Sequence, residues 1–170
     1  MRLPILITAI ICVTIVCDLV AAEFCDIGSG DSSLLVVDDK LLVGKLLDLP
    51  KFPTEMDWDV GFGGEVSHIS VAGRSGKKHR QYELSCDTTG KDPRVSVAKP
   101  NSEGVLKWKM AGEDGKGVTL QTTSGPFKGW YLSPGTEKVE TTVDGKMVEL
   151  GTQPVLSKEP AYFKIHEIAP

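Results

Sequence analysis

Helical patterning is the first thing this sequence lacks. No segment keeps apolar residues at i, i+3, i+4 and i+7 for three turns, and 18 Gly and 10 Pro interrupt the chain at short intervals. Catalytic and metal-binding patterns are missing too. The three histidines, His68, His79 and His166, are scattered, and there is no HExxH, CxxC or GxSxG. A metal needs ligands that one turn or one face can gather, and a nucleophile needs a base within hydrogen-bond reach. No metal, no cofactor and no enzymatic activity are therefore expected. Basic excess is absent as well: 19 Lys and Arg against 23 Asp and Glu give a net charge of −4. Such a balance argues against a nucleic-acid partner. With no Asn-x-Ser/Thr triplet, no N-glycan is expected.

Long apolar runs are confined to the start. Arg2 precedes an apolar stretch from Leu3 to Val16, and Asp18 is followed by Val20, Ala21 and Ala22. A membrane-spanning helix needs roughly 20 apolar residues without interruption, whereas this run is shorter and ends in small residues. The pattern predicts a signal peptide over 1–22, cleaved after Ala22, and a single secreted domain over 23–170 with no membrane span. Cys12 and Cys17 leave with the leader. Cys25 and Cys86 remain, in a compartment that oxidises thiols. Bridging them would close a loop of about 60 residues and stabilise the fold by on the order of 4 kcal/mol in the chain-entropy model. Two buried free thiols are the alternative.

The apolar residues that are present recur with period two. Short runs stand at SLLVV (33–37), KLLVGKLL (40–47), SHISVAG (67–73), QYELSC (81–86), RVSVAK (94–99), VLKWKM (105–110), GVTLQTT (117–123), GWYLS (129–133), KMVEL (146–150) and YFKIHEI (162–168). FCDI (24–27) and DWDVGF (57–62) are weaker and bring the number to about twelve. Regular short strands of this kind make a barrel or a sandwich. A repeat favours the first. Val36, Leu84 and Leu132 lie in similar strands at equal spacing (84 − 36 and 132 − 84 both give 48), and Trp58 and Trp108 form a second series. Three units of one length predict an all-β fold, a β-trefoil, in which six strands close a barrel and three hairpins cap it.

Turn chemistry agrees, with Asp38 and Asp39 between two apolar runs and Gly90 within 88–92. The alternation aims Cys25, Ile27, Tyr82, Leu84 and Cys86 inward. Asp57 and Asp59 read as solvated surface, and Gly61, Gly63 and Gly64 read as a bend. In RSGKKHR, the residues Arg74, Lys77, Lys78 and Arg80 crowd one loop. They form either a weak heparan sulfate contact or a solvated loop tip.

The strands resemble a known family. DSSLLVVDDKLLVGKLL resembles the first hairpin of interleukin-1 family cytokines, and QYELSCDTTGKDPRVSV resembles their central hairpin. VTLQTTSGPFKGWYLS is similar to the family's signature segment, and PVLSKEPAYFKIHE resembles its closing strand. The resemblance covers nearly all of 24–168, with Leu120 where an aromatic is usual. It implies a twelve-stranded trefoil and a monomer that binds an interleukin-1-type receptor ectodomain in immune and inflammatory signalling. Carried over by position, the receptor surface falls on Gly28, Asp31, Ser32, Lys45, Leu47 and Lys164. The leader resembles that of the family's secreted receptor antagonist, while Tyr162, just before the Phe of the last strand, matches neither the acidic nor the basic choice. Antagonist and agonist both stay open. A secreted Kunitz-type trefoil protease inhibitor is the alternative, with RSGKKHR or KDPR as its exposed loop. A trefoil lectin would show Gln-x-Trp repeats, which are absent.

Overall fold

The computed structural model describes residues 24–37, 39–45, 54–55, 58–60, 69–72, 81–87 and 93–167. The expected leader, Leu47 and the basic loop with Arg74, Lys77, Lys78 and Arg80 lie outside the described residues. Among the described residues the chain is all β, with no helix and fifteen strands. They are β1 (Phe24–Ser29), β2 (Ser32–Val37), β3 (Lys40–Gly44), β4 (Thr54–Glu55), β5 (Trp58–Val60), β6 (Ile69–Ala72), β7 (Gln81–Asp87) and β8 (Arg94–Ala98). Then follow β9 (Trp108–Glu113), β10 (Gly117–Thr122), β11 (Tyr131–Ser133), β12 (Lys138–Val143), β13 (Lys146–Thr152), β14 (Val155–Ser157) and β15 (Lys164–Glu167). Every described pairing is antiparallel.

The pairings recur three times. β1 pairs with β2, β6 with β7, and β10 with β11. Each second strand then pairs with a third, as β2–β3, β7–β8 and β11–β14. The last strand of each unit pairs with the first of another, as β5–β6, β9–β10 and β15–β1. With β1–β5 and the bridge Val118↔Phe163, six strands form an arc in the order β9-β10-β15-β1-β5-β6. Val36, Leu84 and Leu132 occupy the second strand of each unit and are all buried. Across the pairings they face Leu41, Val97 and Leu156.

Inside the arc lies one cluster built from every unit, with Ile27, Leu34, Trp58, Leu84, Trp108, Leu120, Leu132 and Phe163 among its fully buried members. Burying each of these large side chains contributes roughly 1.5–3 kcal/mol, which is the force that orders strands too short to hold by themselves. Trp58 adds a hydrogen bond from its indole nitrogen to the Leu34 carbonyl at 2.8 Å. Trp108 is equally buried, yet its indole N–H finds no partner.

The third unit departs from the other two. Between β11 and β14 the chain runs out into the β12–β13 ribbon, which turns at Asp144 and Gly145, both at positive φ. Two strands of this region, β12 and β14, were not among those expected. β12 (KVETTV) alternates only between exposed and half-buried residues, and β14 is three residues long, so neither carries an apolar run. The expected strand at 105–110 begins later, at Trp108, because Val105 makes a single bridge to Ser85 and the Leu106 N–H turns to the Leu84 carbonyl.

The Cys25–Cys86 bridge is not formed. Cys86 is a buried free thiol, and its Sγ donates to the Asp87 carbonyl at 3.6 Å. β1 and β7 stand three steps apart in the order β1-β5-β6-β7. Through the pairings Cys25↔Trp58, Trp58↔Val71 and Val71↔Tyr82, the β7 position level with Cys25 is Tyr82, four residues short of Cys86.

Candidate functional site: one end of the β15–β1–β2–β3 sheet

Four strands present one row of residues. Lys164 of β15 lies opposite Gly28 of β1, Gly28 opposite Ser33 of β2, and Ser33 opposite Gly44 of β3. The row exists because the first unit is a meander here, with the turn at Gly30 and Asp31 joining β1 to β2 and closing Ser29 onto Ser32. Gly30 takes φ +64°, a left-handed conformation that glycine adopts without steric penalty. Of the residues expected to contact a receptor, the structure brings Gly28, Asp31, Ser32, Lys45 and Lys164 to this end of the sheet. Asp31, Lys45 and Lys164 are exposed, Ser32 is half-buried and Gly28 is buried.

The outward face is polar. Ile27 is fully buried and Ile165 packs on the core, so their neighbours Asp26, Gly28, Lys164 and His166 point the other way. Asp26 lies opposite His166 and accepts a hydrogen bond from Ser33 Oγ on Oδ2 at 3.1 Å. Its Oδ1 is shielded and has no hydrogen-bond partner. Gly28 leaves a notch in this face. A Cβ there would stand 3.6 Å from the Ser32 carbonyl oxygen, 3.7 Å from that of Lys164 and 4.0 Å from His166. Lys45 and Lys164 make no ion pair with any described residue, so two cations flank the row.

Beyond Gly44 the row meets the inserted ribbon. Thr152 of β13 pairs with Val43, and a Cβ on Gly44 or on Gly151 would collide with the opposing backbone. Two glycines thus let the ribbon touch β3 backbone to backbone. The junction borders an open groove of about 330 Å³, with Ser29, Ser32 and the exposed Lys45 on one side and Glu149 and Thr152 on the other. Glu149 is engaged by Lys138, whose Nζ lies 2.7 Å from Oε2. That hydrogen bond and the carboxylate charge raise the pKa of Lys138.

Sequence reasoning missed Asp26, Ser33, His166, Glu149 and Thr152. Alternation along β1 marks Asp26 as outward, Ser33 is set by the local pairings of β2 with β1 and β3, and His166, Glu149 and Thr152 are brought in by pairings between distant segments. Among the described residues, no group of three or more His, Cys, Asp or Glu is placed to hold a metal. No family model, curated protein or solved structure matches this chain.

Proposed function

We propose that the chain is a secreted β-trefoil ligand of the interleukin-1 type, which docks through the Lys164–Gly28–Ser33–Gly44 end of its sheet onto an immunoglobulin-domain receptor and acts by binding. The observation that carries this reading is the threefold recurrence of the pairings. A first-to-second, a second-to-third and a last-to-first joint each occur once per unit, as six barrel strands and three hairpins require. The trefoil and the family's contact positions support each other, since Gly28, Ser32, Lys45 and Lys164 come from separate segments and meet on one surface. The inhibitor alternative gains nothing from KDPR, where Arg94 belongs to strand β8 and pairs with Glu137 at 2.6 Å.

The test is capture of interleukin-1-type receptor ectodomains by the mature protein. Binding is expected, and Lys164→Ala should weaken it by about 30-fold, the loss of roughly 2 kcal/mol typical of a central anchor. The melting temperature of the variant should stay unchanged, because Lys164 is exposed. Stoichiometric inhibition of a trypsin-like protease, with no receptor captured, would replace this reading by the inhibitor.

A further inference from the structure

The β12–β13 ribbon is an addition to the threefold body. The second and third strands of each unit pair directly, and only in the third unit does a ribbon intervene between them. An addition of this kind could simply project into solvent. Instead the ribbon base lies along β3, through the Thr152↔Val43 pairing and the glycine contact at Gly44 and Gly151. Leu150 joins Leu35, Val37 and Leu42 in a second apolar cluster, which Val139 and Val148 cover. The ribbon base is thereby fixed relative to the residues of the docking row.

Its fixed position matters because of what it faces. Lys45 and Ser32 line one side of the groove, Glu149 and Thr152 the other, so one wall comes from the family-like surface and the other from the insertion. The charges of the two walls are unequal. Glu149 is paired with Lys138, whereas Lys45 has no counterion among the described residues and Lys164 adds a second such cation along the row. Asp31 stands on the β1–β2 turn, outside the lining. The Thr152 hydroxyl is spent on the Pro134 carbonyl at 2.9 Å, so a group entering the groove meets the Ser29 and Ser32 hydroxyls and the Lys45 ammonium, an arrangement that favours a carboxylate.

Resting on the receptor reading above, the geometry points to the β12–β13 ribbon as the partner-selecting wall of the docking surface, placing Lys45 beside a groove that takes an acidic side chain from a receptor loop. A ligand lacking the ribbon would leave Lys45 on an open surface, where an ion pair is screened and contributes little. With the ribbon in place the pair lies in the groove, and receptors without a carboxylate at that point are disfavoured.

The experiment measures affinity for the captured receptor ectodomain with three full-length mature variants, each first checked by melting temperature. Lys164→Ala reports on the docking row alone. Glu149→Lys converts the insertion wall from a paired anion to a cation, and it is expected to tighten binding at least threefold. Lys45→Glu is expected to weaken binding at least tenfold, and the loss should shrink as salt is raised. If Lys164→Ala weakens binding while Glu149→Lys leaves it unchanged or weakens it, the ribbon inference is overturned and the receptor reading stands. If Glu149→Lys melts early, Lys45→Glu decides: binding that is unchanged, or weakened equally at all salt concentrations, overturns the acidic occupant. If the unaltered protein captures no receptor, the reading beneath the inference fails first.

Discussion

The β7–β8 hairpin and the β12–β13 ribbon are built alike, each from two antiparallel strands, and they are held in different ways. β7–β8 sends Leu84 and Val95 into the central cluster with no exposed surface, and its neighbours on both sides are strands of the body. The ribbon sends one fully engaged side chain, Leu150, into a cluster of four buried residues. Its other strand alternates between exposed and half-buried, and its tip carries Met147 at 65% exposure. An isolated two-stranded ribbon is marginal in water. Long-range burial thus makes the hairpin part of the folding unit, whereas the ribbon is a surface attachment held by a small satellite core.

That contrast can be broken by deleting one buried leucine on each side of it. Leu84→Ala should destabilise the whole domain by about 3–5 kcal/mol, because it empties a site at the centre of a cluster that cannot collapse. Leu150→Ala should cost about 2 kcal/mol or less in global denaturation, yet it should release amide protons of the ribbon to fast exchange while leaving those of β7 and β8 protected. Urea denaturation and native-state hydrogen exchange on both variants provide the check. Equal global losses would mean that the ribbon belongs to the folding unit after all.

A subtler comparison lies within the body, between tryptophans the sequence spacing treats as equivalent. Trp58 donates its indole N–H to Leu34, and Trp108, equally buried, leaves its own unpaired. Trp58→Phe loses a hydrogen bond and orphans a carbonyl, whereas Trp108→Phe removes a donor that was never satisfied. The first substitution should therefore cost about 1–2 kcal/mol more than the second. A pair of denaturation midpoints decides it. Equal losses would show that Trp108 is satisfied in solution, for instance by an ordered water.

These cases also show what could be read in the chain beforehand. The body was legible because its signals are local: alternation, turn residues and a spacing of 48 put Val36, Leu84 and Leu132 in matching buried strands. The ribbon was half legible. KMVEL carries enough apolar residues to register as a strand, but KVETTV hides two valines among polar residues because only one side of it meets protein. The groove beside Lys45 was not legible at all, since Glu149 and Thr152 reach it only through the pairing of β13 with β3, across more than a hundred residues. The expectation of inward thiols at Cys25 and Cys86 invited a disulfide because alternation gives the direction of a side chain and says nothing of its position along the sheet.

Cys86 gives the smallest expected effect and the finest probe of the comparison. Burial in the first place, and the neighbouring Asp87 carboxylate in the second, push its thiol up to about 11 from 9.0. Below pH 9 the thiol is neutral in both folded and unfolded chains, so its contribution to stability is fully present. Between pH 9 and 11 the unfolded chain ionises while the folded one resists, and stability falls; Cys86→Ser should remove that alkaline step. The same shift leaves about 100-fold less thiolate at pH 8 than an unperturbed cysteine would have, so alkylation of the native protein should be correspondingly slow. Opening of β7–β8 would add a faster route to the thiol, which at rest is nearly buried beside an open groove. Leu84→Ala should accordingly speed modification of Cys86, and Leu150→Ala should leave its rate unchanged, as mass spectrometry of timed alkylation would record. Were Leu150→Ala to accelerate it as well, the ribbon would be coupled to the body through β3 and the two regions would open as one.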